Sequence, residues 1–170
     1  MAQEVGAGLG QCEVLFRSVQ ALWAKRMKLD FWQYTHDPLE KVVALIAKRA
    51  LGEGERVLVV SADAEQREVI ARTLWQAGHE TFLANGEADA PGAALQPILL
   101  SADIAASNGA SHLILADGTF RESSGFARVF LLFPPDAAPA ARMAWRAHDG
   151  REDVTRAYFA QEDGRWVKKG

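Results

Sequence analysis

Apolar positions along the chain switch between helical and strand spacing, and that switching predicts its elements. From Cys12 to Arg26, Leu15, Phe16, Val19, Leu22 and Trp23 recur three or four apart, the stripe of an amphipathic helix. Lys28 to Thr35 has high strand propensity around Leu29, Phe31 and Trp32. Thr35-His36-Asp37-Pro38 then predicts a helix start, a capping residue followed by proline at the first helical position. That helix carries Leu39, Val42, Val43, Ile46 and Ala50 on one stripe and ends at Gly52-Glu53-Gly54, where glycine takes the left-handed cap. Arg56 to Ser61 is a continuous apolar run, the mark of a strand buried on both faces. Asp63 caps a second helix through Ala77, with Val69, Ile70 and Leu74 inward and Gly78 as its stop.

Glu80 to Ala84 then predicts a short strand, Gly86 to Gly92 a loop, and Pro97 to Ser101 and Ser111 to Ala116 two further strands. The apolar run Val129-Phe130-Leu131-Leu132-Phe133 meets Pro134-Pro135-Asp136 and a short helix. Val154 to Ala160, the turn at Asp163-Gly164 and Arg165 to Lys168 read as a terminal hairpin or an extended arm. Strands alternating with helices at this length predict an α/β fold. It is a single domain with a mostly parallel twisted sheet and helices on both faces, Rossmann-like without a phosphate loop. The domain runs over residues 27–170. Residues 1–26 form an N-terminal extension whose stripe packs on the body or on a partner.

Composition narrows the function classes. At 170 residues and 49% hydrophobic the chain suits one ordinary core. Nineteen basic against 22 acidic residues leave a net charge of -3, so DNA is expected to be met only indirectly. Cys12 is the only cysteine, which excludes an internal disulfide or a cysteine-based metal site and fits a reducing cytoplasm. No apolar run reaches the roughly 20 residues of a membrane helix, and Glu4, Glu13 and Arg17 fall where an export signal would be apolar. A soluble cytoplasmic protein is the expectation.

A doubly wound sheet invites a nucleotide- or cofactor-dependent enzyme as the alternative, but the strand-end turns are wrong for phosphate. Thr35-His36-Asp37-Pro38 and Ser61-Ala62-Asp63 lack glycine and add carboxylates, and no strand can precede the Gly6, Gly8, Gly10 string. The four histidines have no partners at metal-ligand spacing. No catalytic residue, metal or cofactor is therefore assigned, and function is expected on the outer surface. The helix after Pro135 offers one. Arg142 and Arg146 are four apart on one face, with Trp145 beside them toward Ala141, Ala144 and His148. A cationic rim next to an aromatic wall suits a peptide that ends in a bulky hydrophobe with a free carboxylate. The plain alternatives are an amphipathic helix with solvated arginines, or direct single-strand binding through Trp75, Trp145 and the arginines.

From Met27 to about Trp166 the sequence resembles the chi subunit family of bacterial DNA polymerase III holoenzyme. The matching pieces are Asp30-Phe31-Trp32-Gln33-Tyr34 with Asp37-Pro38-Leu39-Glu40-Lys41; Arg56-Val57-Leu58-Val59; Leu74-Trp75; Gln96-Pro97-Ile98-Leu99-Leu100; Asn108-Gly109-Ala110; Asp117-Gly118; and Gly125-Phe126-Ala127-Arg128-Val129 leading to Leu132-Phe133. The resemblance implies a non-catalytic accessory replication protein. Such a protein links the clamp loader to single-stranded-DNA-binding protein by holding that protein's acidic C-terminal tail, which ends in proline and phenylalanine. It places Phe133, Arg142 and Trp145 at the tail pocket and Trp75 nearby. Arg142 would pair with the terminal carboxylate, Trp145 and Phe133 would enclose the terminal ring, and Arg146 would steer the preceding acidic residues. Phe82 matches a contact to the psi subunit, or another clamp-loader component. Two departures stand out: Ala137-Ala138-Pro139 where relatives often carry a lysine, and Ala84 and Asn85 in place of the usual proline and histidine beside Phe82.

Overall fold

A computed structural model describes residues 26–77 and 82–170. Eight strands form one sheet: β1 (Met27–Gln33), β2 (Val57–Val60), β3 (Asn85–Glu87), β4 (Ile98–Ser101), β5 (His112–Leu115), β6 (Arg128–Phe133), β7 (Val154–Glu162) and β8 (Arg165–Lys168). Their order across the sheet is β3-β4-β2-β5-β6-β1-β7-β8, and every neighbouring pair is parallel except the β7/β8 hairpin. The central strands β2, β4 and β5 are buried at every position, apolar except for Ser101 at the end of β4 and His112 at the start of β5.

Among the described residues three α-helices join these strands: α1 (Leu39–Gly52), α2 (Ala64–Gln76) and α3 (Ala138–Ala147). Helices α1 and α2 cover one face of the sheet, packing Val43, Ile46, Ala47, Ile70 and Leu74 on Val57, Val59, Ile98, Leu100 and Ile114. Helix α3 covers the other face, where Ala141 and Ala144 meet Leu29, Phe31, Val129, Leu131 and Phe133. The rest of that second face is closed by loops that bring in Ile104, Ala106, Phe120 and Phe126. The α/β architecture with helices on both faces is thus as the spacing predicts. No helix among the described residues is long and apolar enough to cross a membrane.

Local departures have physical reasons. Pro38 is the N-cap of α1 rather than its first helical residue, because its extended ψ of 148° makes the helix begin one residue later. Asp63 caps α2 as expected, accepting from the N–H groups of Glu65 and Gln66. Val69 is 43% exposed instead of inward, since α2 buries only a narrow stripe through Ile70 and Leu74. The third strand lies at Asn85–Glu87, inside what periodicity assigns to a loop, while residues 82–84 have no strand pairing. Sheet register decided it: Gly86 pairs with Leu99 although neither of its neighbours is apolar. The helix predicted from Cys12 and the stop at Gly78 lie outside the described residues, apart from Arg26.

The C-terminal hairpin is no free arm. Strand β7 pairs in parallel with β1 along its length, Met27 with Val154 through Gln33 with Ala160, so the first strand sits between two made late in the chain. That register sets β6, β1 and β7 side by side under α3.

Candidate functional site

Doubly wound sheets receive ligands at the carboxyl ends of their strands. Buried Gln161 projects from the end of β7, and its Oε1 accepts from the backbone N–H groups of Thr35, His36 and Asp37 at 2.9–3.2 Å. Its Nε2 donates to Asp37 Oδ2 at 2.6 Å. The amides before α1, which could otherwise face an anion, are thus held by a neutral side-chain amide of the same chain. After β5, Asp117 accepts from the N–H groups of Ala62 and Thr119 and pairs with Arg121 at 2.6 Å. Burial pushes the Asp117 carboxyl up, but the Arg121 guanidinium and the two backbone donors outweigh it and hold the group below its ordinary value.

The concave site lies elsewhere, between α3 and the strands beneath it. A proline-led 3-10 turn at Pro135–Ala137 turns the chain back from β6, and Pro139 sits in the first turn of α3, where its missing N–H costs nothing. Small residues on the sheet side of the helix, Ala138 and Ala141, leave space above Phe31 and Phe133 that no side chain fills. The result is an open cavity of about 280 Å³, walled by Trp145 and Tyr158 with Arg142 at its rim. This is near the lower end of ordinary small-ligand pockets, which run from about 300 Å³. It is sized for a ring and a short stretch of backbone.

The walls are held in place. Trp145 meets Phe31 edge to face at 5.1 Å, and the Arg156 guanidinium lies 4.6 Å from its ring centroid. Tyr158 lies near-parallel to Phe133 at 6.4 Å, and its hydroxyl donates to Gln33 Oε1. The N–H of Tyr158 donates to the main-chain oxygen of Gly170 at 2.9 Å, which brings Gly170 to the pocket wall. At the far end of α3, buried His148 gives its Nδ1 proton to the Ala144 carbonyl at 2.9 Å and packs edge to face on Phe120. Arg142 and Arg146 are both exposed, and neither has a carboxylate partner among the described residues.

Of the residues singled out by sequence, the fold brings Phe133, Arg142 and Trp145 together around this cavity. Arg146 stands one helical turn beyond the rim and does not line it. Trp75 does not belong to the group. It sits on α2, across the sheet from α3, 52% exposed and edge to face with Phe82 at 5.0 Å. The expectation that Trp75 lies near the pocket is corrected by this placement: α2 and α3 pack on opposite faces. Phe82, itself 75% exposed, and Trp75 instead form a separate aromatic patch. Sequence reasoning missed Phe31, Arg156 and Tyr158. Strand alternation on β7 could have put Arg156 and Tyr158 on one face, but only the β1/β7 register puts that face beside α3.

Among known families, the sequence model of the DNA polymerase III chi subunit, HolC, matches residues 27–153, well over half of the chain. No curated protein matches it closely enough to name as a relative.

Proposed function

The chain belongs to the DNA polymerase III chi subunit family, whose members are accessory parts of the replication machinery, and from this premise we propose that the α3 cavity holds the C-terminal tail of single-stranded-DNA-binding protein. One observation carries the reading: a hollow of aromatic and small side chains has at its rim a guanidinium, that of Arg142, with no carboxylate partner among the described residues. A terminal phenyl ring fits against Phe133 and Trp145, and the carboxylate next to it is within the compass of Arg142, whose planar fork can take both oxygens. Arg146, one turn on, then faces the acidic residues that precede the terminus. The pairing is local, since the molecule as a whole is acidic.

On this reading the protein has no reaction of its own; it ties the DNA-coating protein to the clamp loader. The Trp75–Phe82 patch, on the opposite face, is the surface offered to the clamp-loader side, the psi subunit or another component. The separation lets both partners bind at once. The test is a titration with a fluorescent peptide of the tail sequence. Micromolar binding that weakens with salt and drops at least tenfold when the last residue is removed is expected. Equal binding by the shortened peptide would refute the pocket.

A further inference from the structure

The indole that walls the cavity is fixed by a residue outside it. Arg156, on β7, makes three contacts at once: its guanidinium lies over the Trp145 ring at 4.6 Å, its Nη1 donates to the Trp145 carbonyl, and the same nitrogen donates to Asp149 at 2.7 Å. Each contact answers a separate need. Helix α3 ends at Ala147, where the Trp145 carbonyl receives only a long 3.3 Å bond from the His148 N–H, so Arg156 supplies it a second donor, and a cation there also opposes the negative end of the helix. The ring, left to itself, could swing about χ1 and χ2. Arg156 covers it while Phe31 meets it at 5.1 Å. Asp149 neutralises the guanidinium, so this charge is not offered to a ligand. Arg142, in contrast, has no carboxylate partner among the described residues.

We propose that Arg156 is the positioning residue of the cavity: it locks both backbone and ring of Trp145 before any ligand arrives, and it is not one of the cations that attract the ligand. Affinity then depends on it through preorganisation, because a ring that must first be ordered costs binding. This inference rests on the tail-binding reading only for its affinity test.

The experiment compares Arg156→Lys and Arg156→Met with the wild type in the full chain. Lysine keeps the charge and the donors but has no plane to stack on the indole. Both variants are expected to bind the tail peptide about tenfold more weakly, with the wild-type salt dependence retained in Arg156→Met. The second readout needs no ligand. In protein labelled with 5-fluorotryptophan, the Trp145 resonance, identified by its loss in Trp145→Phe, is expected to broaden or split in both variants while those of Trp32 and Trp166 stay put. Wild-type affinity and a sharp Trp145 line in Arg156→Lys would overturn the proposal, as would a salt dependence reduced in Arg156→Met and restored in Arg156→Lys. If wild-type protein does not bind the peptide, the tail reading fails while the fluorine spectra still decide the role of Arg156. Should either variant lose its cooperative melt, Asp149→Asn, which frees only the outer anchor, is expected to show the same broadening with a two- to threefold loss of affinity; an unchanged line and affinity there would count against the proposal.

Discussion

At the tip of β7, Gln161 meets three backbone amides and a carboxylate with its two side-chain polar atoms. Under α3, a few residues back along the same strand, Tyr158 and its neighbours enclose a hollow whose rim cation, Arg142, meets no acid of the described chain. Both places are formed by β1, β7 and a helix. The difference lies in where the polar groups find partners. The strand tips satisfy themselves, so a ligand there would have to displace bonds already made, whereas the α3 hollow has apolar surface and a charge still available. In a fold known for binding at its strand tips, that shift of available surface marks where a partner can be recognised.

The comparison breaks most easily at the hollow. Trp145→Ala is expected to weaken tail-peptide binding by about 2–3 kcal/mol and also to lower the melting temperature, because its ring packs on Phe31, and Arg142→Ala to weaken binding by about 1–2 kcal/mol with little change in melting temperature. The double change Trp75→Ala with Phe82→Ala is expected to leave the peptide affinity unchanged and to remove retention of the clamp-loader side in a pull-down. A loss of peptide binding in that double variant would merge two surfaces that the fold separates. At the tips the expected effect is on stability. Gln161→Ala leaves three amides without their acceptor, and should cost about 1–3 kcal/mol in a denaturant titration while tail affinity is kept. Equal stability would mean that water replaces the side chain easily and that the tips are less closed than they look.

The smallest expected effect is acid sensitivity at Asp117. Its carboxyl titrates lower in the folded chain than in the unfolded one, so its contribution is complete above the ordinary carboxylate value of 3.8 and is lost as pH falls through the folded value. Asp117→Asn should therefore lower the melting temperature at neutral pH and flatten its decline below about pH 4. A decline as steep as that of the wild type would assign the acid limb to other carboxylates.

Much of this could be seen in the residues alone, and the limits have identifiable causes. Arg142 and Trp145 lie three apart on one short helix, so periodicity groups them, and Phe133 comes with them because it ends the strand just before. Phe31 and Tyr158 join the same cavity from 114 and 13 positions away from Trp145, through a register that no local pattern encodes. Trp75 shows the converse. Family likeness put it near the pocket, but likeness in order along a chain does not say which side of a sheet a helix takes. The strand at Asn85–Glu87 was hidden for a related reason: its pairing with β4 is made by backbone, and Asn-Gly-Glu advertises a turn.

The position of β1 bears on how the molecule is made. Its partners β6 and β7 leave the ribosome some hundred residues after it. Until then Leu29 and Phe31 have no neighbours to bury them, and the nascent chain carries an unmatched sticky edge for most of its synthesis. Joining ends so far apart in sequence is also slow. A chain cut before Val154 would keep its helices and six of its eight strands but leave that first strand open on one side, which makes loss of the last hairpin a route to aggregation rather than to a smaller working domain.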